Sequence, residues 1–545
     1  MRKTVRGIAS KVLACLLIAC MLTGIGGLTA YADQDTTLGV DEPQGSVEAG
    51  NITIDVVNED VAGIEVTSSS GTGGGTQVQT GDVSGTINAD DGFWYDGYGV
   101  KLSEGANASN EMNLGNIDVS VTVEDEMATA FGIKAESKGG GHQTTINTGS
   151  INVTASGDEY GNAVGLDLYS GNSTAGDGSG LEIAVGGDIT VHNDLTTAQG
   201  IRLFNDEGTN NNVRITVNGD VTATMNTDDD GELAEGIKLD TEGSGNTTSV
   251  IVDGDVTADR RGIGIITDSG GAVDVVVTGT ISGNTTGIGF DGDIDADNTS
   301  VTAWKIESDG VLVDDLFDSM TSDEISDLAK AVIHYIVKLV QPEQGDVLSA
   351  VKADGSALDT KTYKVSDDEG EQTVSTENEG KIVRLTLSDD KYEIVSAENV
   401  DGTPLSKDDK GFFYSVTRGG GILLSAILRE KIGPKPDPKP QPDPDPKPQP
   451  QPQPSGGTDS VGGGGACGIK IIYELDGGTY KGDPGPIIRY CMPGQLIHLL
   501  EAPEKDGFEF SAWHREIGDK VETYSAGDGY RPWTTVTFTA IWNEA

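Results

Sequence analysis

Apolar residues alternate with polar ones along most of the first 310 residues, in short runs separated by Gly, Asn, Asp, Ser and Thr. Leu181-Glu182-Ile183-Ala184-Val185 and Val213-Arg214-Ile215-Thr216-Val217 are examples. A period of two marks a half-buried strand, and the intervening residues are those that turn a chain. Two phrases recur eight times each. The first is Gly-x-Ile/Val, read at Gly50, Gly85, Gly115, Gly149, Gly187, Gly219, Gly254 and Gly279. The second is Gly followed by Ile, Val or Leu, at Gly63, Gly99, Gly132, Gly165, Gly200, Gly236, Gly262 and Gly287. A third, less regular run lies between them, as at Val273-Asp274-Val275-Val276-Val277. Three short strands per repeat predict a right-handed parallel β-helix over 49–313, of about eight coils and on the order of 40 Å long at about 4.8 Å per strand. The glycine before each first-phrase strand is expected to take a positive φ at a corner. A two-sheet sandwich is the competing architecture, but it needs tight two-residue hairpins.

At Thr321 the period changes to that of a helix. Ile325, Leu328, Ala329, Val332, Ile333, Ile336, Leu339 and Val340 share one stripe, Thr321 and Glu324 have capping-box spacing, and Pro342 ends the run. This helix is expected either to cover the open end of the solenoid or to belong to the core of the next domain. Strands follow at 361–366, 381–387, 392–396, 412–416 and 422–427, with turns at Val400-Asp401-Gly402 and Arg418-Gly419-Gly420-Gly421. Residues 314–430 therefore read as a capping helix plus a small antiparallel β domain, an α+β unit. Its strands resemble the small β modules of Gram-positive surface proteins.

Proline then occupies every second position from Pro434 to Pro454. Such a stretch is an extended polyproline spacer of roughly 65 Å at about 3.1 Å per residue. With Ser455 to Gly465 it makes 431–466 a Pro/Gly-rich linker. The final segment, 467–545, carries Tyr473-Glu474-Leu475-Asp476-Gly477-Gly478-Thr479-Tyr480, then Ala502-Pro503, Gly507-Phe508-Glu509-Phe510-Ser511-Ala512-Trp513, and Val536 to Trp542. In order and spacing these resemble the internalin-type B repeat, a β-grasp module of bacterial surface proteins. The resemblance implies surface display and contact with host or bacterial glycans or proteins, and it carries no catalytic residues. Ala512 stands where that family usually has Gly. Asp476-Gly477-Gly478 reads as a hairpin turn, and Phe510, Trp513 and Trp542 as core aromatics.

Composition adds the address. Arg2, Lys3, Arg6 and Lys11 precede the apolar stretch from Val12 to Leu28 and the small-x-small site Ala30-Tyr31-Ala32, the layout of a secretory signal over 1–32, followed by a lead at 33–48. A membrane anchor and a lipoprotein signal at Cys20 are the alternatives. No later run is long and apolar enough to span a bilayer, so no transmembrane anchor is expected after signal cleavage. The formal charge of −52 argues against nucleic-acid binding, which needs a basic footprint. Two cysteines, Cys467 and Cys491, remain in the mature chain, and an exported protein permits a bridge between them.

Chemistry is sparse. His142, His192, His334, His498 and His514 are scattered without metal-ligand spacing. The acidic run Asn226 to Glu232 begins like a calcium loop but has Ile237 at the twelfth position, and Asp291 to Asp297 alternates carboxylates on a strand-like stretch. No catalytic residue, cofactor or metal site is expected. Lys101, Lys134, Arg202 and Lys238, with Asp167 among them, occupy equivalent places after successive second-phrase glycines. They form an outward ladder, read as cross-coil charge pairing in preference to a substrate face. Phe93, Trp94, Tyr95 and Tyr98 form the one dense aromatic cluster and the candidate contact loop. The sequence thus predicts a secreted, adhesin-like, non-enzymatic surface protein, held at the cell wall or released. Its N-terminal repeats resemble adhesin or passenger β-helices. The alternative is a carbohydrate-active β-helix enzyme, a polysaccharide lyase or glycoside hydrolase, which requires paired carboxylates in a groove.

Overall fold

The computed structural model describes residues 38–431 apart from 42–44, 69–74, 91–93, 105–108, 125, 138–139, 142, 158–160, 172–177, 227–232, 268–269, 293, 317–318 and 366–369. It also describes 469–544 apart from 481–485, 492–496, 506, 518–519 and 531–535. The signal segment, most of the proline linker, Phe93, His142, Cys467 and most of the run Asn226 to Glu232 lie outside the described residues. Cys491 ends the strand Ile487–Cys491. The chain divides into two compact units: one of 1–339, 349–386 and 396–424, the other of 340–348, 387–395 and 425–545.

The first unit is mainly β, with long parallel ladders. Every third strand pairs with its counterpart one repeat on. Thus Ala128–Ser137 lies between Tyr95–Glu104 and Asn162–Gly171, Gln143–Thr148 between Ser109–Asn113 and Gly180–Val185, and Ile151–Ser156 between Ile117–Val123 and Ile189–Asn193. These are the strand pairings of a β-helix-like solenoid with three strands per coil. The first ladder runs through ten strands, from Leu38–Asp41 to Val311–Asp315. Alternation is kept: in Ile117–Val123 the apolar residues are buried and those between them face outward.

The two repeated phrases turn out to be two sides of one contact. Each second-phrase glycine lies on the first ladder and faces the interior. A Cβ added there would come within 2.6 Å of the leading Ile or Val of the third-ladder strand in the same coil: Ile151 for Gly132, Val221 for Gly200, Ile281 for Gly262. It would also come within 2.8 Å of a carbonyl oxygen of the next coil. The branched residue occupies the volume that the glycine vacates, and the interior closes at crystal-like density.

The corner glycines differ from expectation. Gly81, not Gly85, stands at the second coil's corner, because Gly85 lies inside the strand Val83–Ala89. None of Gly115, Gly149, Gly187, Gly219, Gly254 and Gly279 has a positive φ. Crowding selects them: a Cβ on Gly115 would sit 2.7 Å from the Asp82 backbone nitrogen, and one on Gly219 3.0 Å from that of Asp188. The x of Gly-x-Ile/Val is what these glycines make room for. Asn51 Oδ1 accepts from the Asp82 N–H (3.0 Å), Asp82 from Asn116 (2.8 Å) and Asn116 from Ser150 (2.9 Å). Lower down, Asp188 accepts from Asp220 (2.9 Å), Asp220 from Asp255 (2.8 Å) and Asp255 from Thr280 (2.7 Å). Side chains thereby satisfy corner donors that the ladders cannot reach.

The end of the solenoid carries the helix, one of the two expected placements, and beyond it a strand that was not expected. The helix is Ser322–Val332, with the capping box between Thr321 and Glu324 present. It packs against Thr299–Glu307 and Val311–Asp315, so it lies on the last coil. It does not extend to Val340. Ile333-His334-Tyr335-Ile336-Val337 is rich in β-branched and aromatic residues, which favour strand, and Ile333–Leu339 joins the second ladder, with Ile333 opposite Val301. Gln372–Asn378 then pairs antiparallel to it. Tyr335 Oη accepts from the Gly419 N–H (3.0 Å), and Gly421 donates to the Trp304 carbonyl (2.7 Å). The turn glycines Gly419, Gly420 and Gly421 all have positive φ. Val365 and Tyr363 cover Ile251 and Val276, two apolar residues on the outer side of the second ladder. Lys361 to Asp274 (2.5 Å) and Arg214 to the Lys364 carbonyl (2.6 Å) fasten this strap.

In the second unit, 469–544 forms a five-stranded mixed sheet in the order Ile487–Cys491, Ile469–Glu474, Val536–Glu544, Phe508–Ile517, Lys520–Tyr524. Its one parallel pair is central, with Tyr473 opposite Phe538. Trp513, Tyr473 and Phe538 are fully buried, and Phe510 and Trp542 pack against them. Trp513 Nε1 donates to the Leu500 carbonyl (2.9 Å). Asp476 and Gly477 take positive φ in a tight turn closed by Gly478 N–H to Leu475 C=O (2.9 Å).

Two outcomes follow. Gly165→Ala should cost about 1–3 kcal/mol by overpacking, whereas Gly370→Ala, with open space around it, should be near neutral; denaturant unfolding of the two variants separates them. Burial holds the Asp220 carboxyl above its ordinary range, partly offset by the Asp255 N–H it accepts, with the Asp255 and Asp188 carboxylates adding to the rise. A carboxyl raised in the folded state contributes full stability at low pH and loses it as pH climbs through its folded value. The Asp220 side chain is desolvated only on the side facing the neighbouring corners and otherwise open to water, so screening keeps the effect modest. Asp220→Asn should therefore raise Tm near neutral pH and change it little near about pH 3, as thermal melts at the two pH values would record.

Candidate functional site

The glycine column also shapes the outside of the first ladder. In a regular strand, residues i and i+3 point to opposite faces. Here the glycine and the residue after it both face inward, so alternation breaks and residues i and i+3 emerge together outside. Lys134 Nζ accordingly lies 5.0 Å from the Phe131 ring centroid, and Lys101 Nζ 5.2 Å from that of Tyr98. A Cβ on Gly264 would meet Arg261 Cδ at 3.4 Å. Two columns of side chains thus meet on the outer side of the ladder in a packed strip, the furrow, whose inner column is nearly sealed at Phe131, Val164, Gln199 and Glu235.

The column after the glycines reads Glu65, Lys101, Lys134, Asp167, Arg202, Lys238 in register. Lys101 pairs with Glu65 (3.3 Å). Asp167 is held between Lys134 (3.9 Å) and Arg202 (2.7 Å). The column before the glycines reads Tyr98, Phe131, Val164, Gln199, Glu235, Arg261. Tyr98 and Phe131 stack at 5.2 Å. Glu235 accepts from Gln199 Nε2 (2.6 Å) and Arg261 Nη1 (2.5 Å). Lys238 Nζ lies 6.0 Å from the Phe204 ring centroid and makes no ion pair among the described residues. At the far end Leu316 lies over Gly264 and Gly289, the two coils in which the charged column is replaced by glycine.

Depth sets two of the acids apart. The side chains of Asp167 and Glu235 are 10% and 1% exposed, while those of Arg202, Arg261 and Lys134 are 19%, 22% and 27% exposed. Asp167 and Glu235 form a floor beneath these cations, whereas Glu65 and Glu136 meet Lys101 and Lys134 at the surface. The expected cross-coil pairing is present in this ladder, but the bend that collects it into a furrow was not expected. Its signal was legible: Gly-Ile and Gly-Val dipeptides interrupt the period-two pattern at the same place in every coil.

The aromatic cluster is less concerted than its sequence suggests. Trp94 is 71% exposed, Tyr95 is buried, and Tyr98 is half-buried under Lys101. Burial, reinforced by Asp96, whose Oδ2 accepts from the Tyr98 hydroxyl at 3.0 Å, pushes the Tyr98 phenol well up. Of the acidic runs, Asp295 caps its own turn through the Asp297 N–H (3.0 Å) and Asn298 Nδ2 (2.9 Å). No group of three metal-ligating side chains occurs among the described residues, and among them no helix is long and apolar enough to cross a membrane. A polar cleft of about 430 Å³ lies at the last coils, between Ser282, Asn284, Glu307 and Asp309.

No protein-family model matches the chain, no curated protein matches it, and no solved structure matches it.

Removing the carboxylate that two cations share should be costly, because it takes the ion-pair partner from Arg202 and leaves Lys134 with Glu136 (3.7 Å). Asp167→Asn should lose about 1–2 kcal/mol, and adding Arg202→Gln should recover part of that loss in equilibrium unfolding.

Proposed function

We propose that this is an exported modular protein of a bacterial surface or its surroundings, with a structural and adhesive role. In this reading a right-handed β-helix shaft holds a binding surface outward. The α+β segment closes the shaft, the proline linker spaces it, and the terminal module is a β-grasp domain of internalin B-repeat type. The partners are glycans or proteins of the host or of bacterial surfaces.

The observation that carries this reading is the furrow. Its two buried carboxylates are engaged by cations and amides at hydrogen-bond distance, which suits a pre-organised contact surface. A glycosidase needs two carboxyl groups placed to exchange protons with a sugar across a cleft, and carboxylates held in ion pairs serve that poorly. The mixed sheet of the terminal unit and the fully buried Trp513, Tyr473 and Phe538 support the modular part.

The test sets purified protein on a glycan and surface-protein array beside a polysaccharide depolymerisation assay. Retention without cleavage is expected. Cleavage of any polysaccharide that Asp167→Asn or Glu235→Gln abolishes would overturn the reading in favour of a β-helix enzyme.

A further inference from the structure

The cations of the furrow stand out against their surroundings. The whole chain carries a formal charge of −52, which repels polyanions at long range. Yet along one outer line of the solenoid four cations, Lys101, Lys134, Arg202 and Lys238, face solvent; Asp167 lies beneath Lys134 and Arg202, while Glu65 and Glu136 pair with Lys101 and Lys134 at the surface. Such a stripe has a cost: burying Glu235 and Asp167 is unfavourable unless each is paired. The pairing is present, and it leaves the cation heads directed outward. Lys238 Nζ lies beside the Phe204 ring, 6.0 Å from its centroid.

The spacing narrows the chemistry. Register places Lys101 beside Lys134 and Arg202 beside Lys238 on adjacent strands, about 4.8 Å apart along the axis. A ligand that meets them in turn is linear and extended, with negative charges spaced to reach two cation pairs on either side of the Asp167 strand. The furrow contributes fixed donors from side chains already held in place, which lowers the ordering cost of binding. The stacked rings of Tyr98 and Phe131, 5.2 Å apart, lie under Lys101 and Lys134 and give that end an apolar underlay. We infer that the furrow from Lys101 to Lys238 binds a linear, carboxylated polysaccharide, laid along the solenoid axis. This inference rests on the adhesive reading and names the ligand class of its surface.

The probe is polygalacturonate, with neutral dextran and poly-glutamate as comparators, titrated against the full-length protein at low and high salt. The expected result is saturable binding of polygalacturonate that weakens steeply with salt, with no retention of dextran and weaker retention of poly-glutamate. Lys101→Gln and Lys238→Gln should each weaken it by about fivefold, while Trp94→Ala, about 20 Å along the strand from Lys101, should leave it unchanged. Asp118→Asn, on the third ladder, should leave affinity unchanged. Thermal melts confirm that each variant folds. Absence of polygalacturonate binding at low salt, or affinity unmoved by Lys101→Gln and Lys238→Gln together in a folded protein, overturns the inference. Tighter binding of poly-glutamate than of polygalacturonate also overturns it, in favour of an acidic polypeptide partner. Array retention that survives Lys101→Gln and Lys238→Gln would refute the furrow as the site while leaving the adhesive reading standing. Loss of all array retention by the unaltered protein would refute the adhesive reading itself.

Discussion

One steric exclusion organises the solenoid: where a first-ladder glycine meets a third-ladder Ile or Val across the interior, there is no room for a Cβ. The glycine lets the branched residue pass, and the branched residue fills what the glycine leaves. Repeated in coil after coil, the contact sets how far the first strand leans toward the third. The same spot brings the glycine's Cβ direction within 2.8 Å of a carbonyl of the following coil, so it limits stacking along the axis as well. Hydrophobic burial drives the collapse, but this exclusion selects which collapsed arrangement fits.

The surface follows from the same cause. Because the glycine and its successor both face inward, the strand bends there, and residues three apart meet outside. That bend creates the furrow and brings Lys134 over Phe131, while register between coils seats Asp167 between Lys134 and Arg202. A straight strand would have put the two columns on opposite faces. The corner side chains complete the stack from the other direction, since Asn116 or Asp220 satisfies a backbone donor that the turn would otherwise leave to water. Structure and candidate function are therefore two consequences of one repeat, inside and outside.

Much of this is legible in sequence. The three strands per repeat, the capping box at Thr321, and the core position of Trp513 can be read from period, spacing and residue type. The reason for the corner glycines cannot, because crowding by the preceding coil is a long-range contact and a φ preference is the nearest local explanation. Gly85 stands in for Gly81 in the sequence pattern for a related reason: Gly81-Asp82-Val83 and Gly85-Thr86-Ile87 fit the same phrase, and only pairing between coils distinguishes them. The helix reads too long in sequence because Ile333, Ile336 and Leu339 satisfy helical spacing, while their β-branched neighbours and the free edge of the last coil favour strand. The strap over Ile251 and Val276 leaves a signal in the unbroken runs Val250-Ile251-Val252 and Val275-Val276-Val277. Those runs are apolar on both faces, so something has to cover the outer one. The furrow needs the bend, and the bend needs the glycine's partner across the interior to be known.

The most direct test is a double-mutant cycle on one such contact, with Gly132→Ala, Ile151→Ala and both together measured by equilibrium unfolding. Ile151 and the Gly165 carbonyl both crowd a Cβ at Gly132, and shortening Ile151 removes the closer of the two clashes. The pair should then be more stable than the sum of the single losses predicts, by about 1 kcal/mol or more. Strict additivity, with Gly132→Ala costing as much in the Ile151→Ala background as in the unaltered protein, would contradict the account.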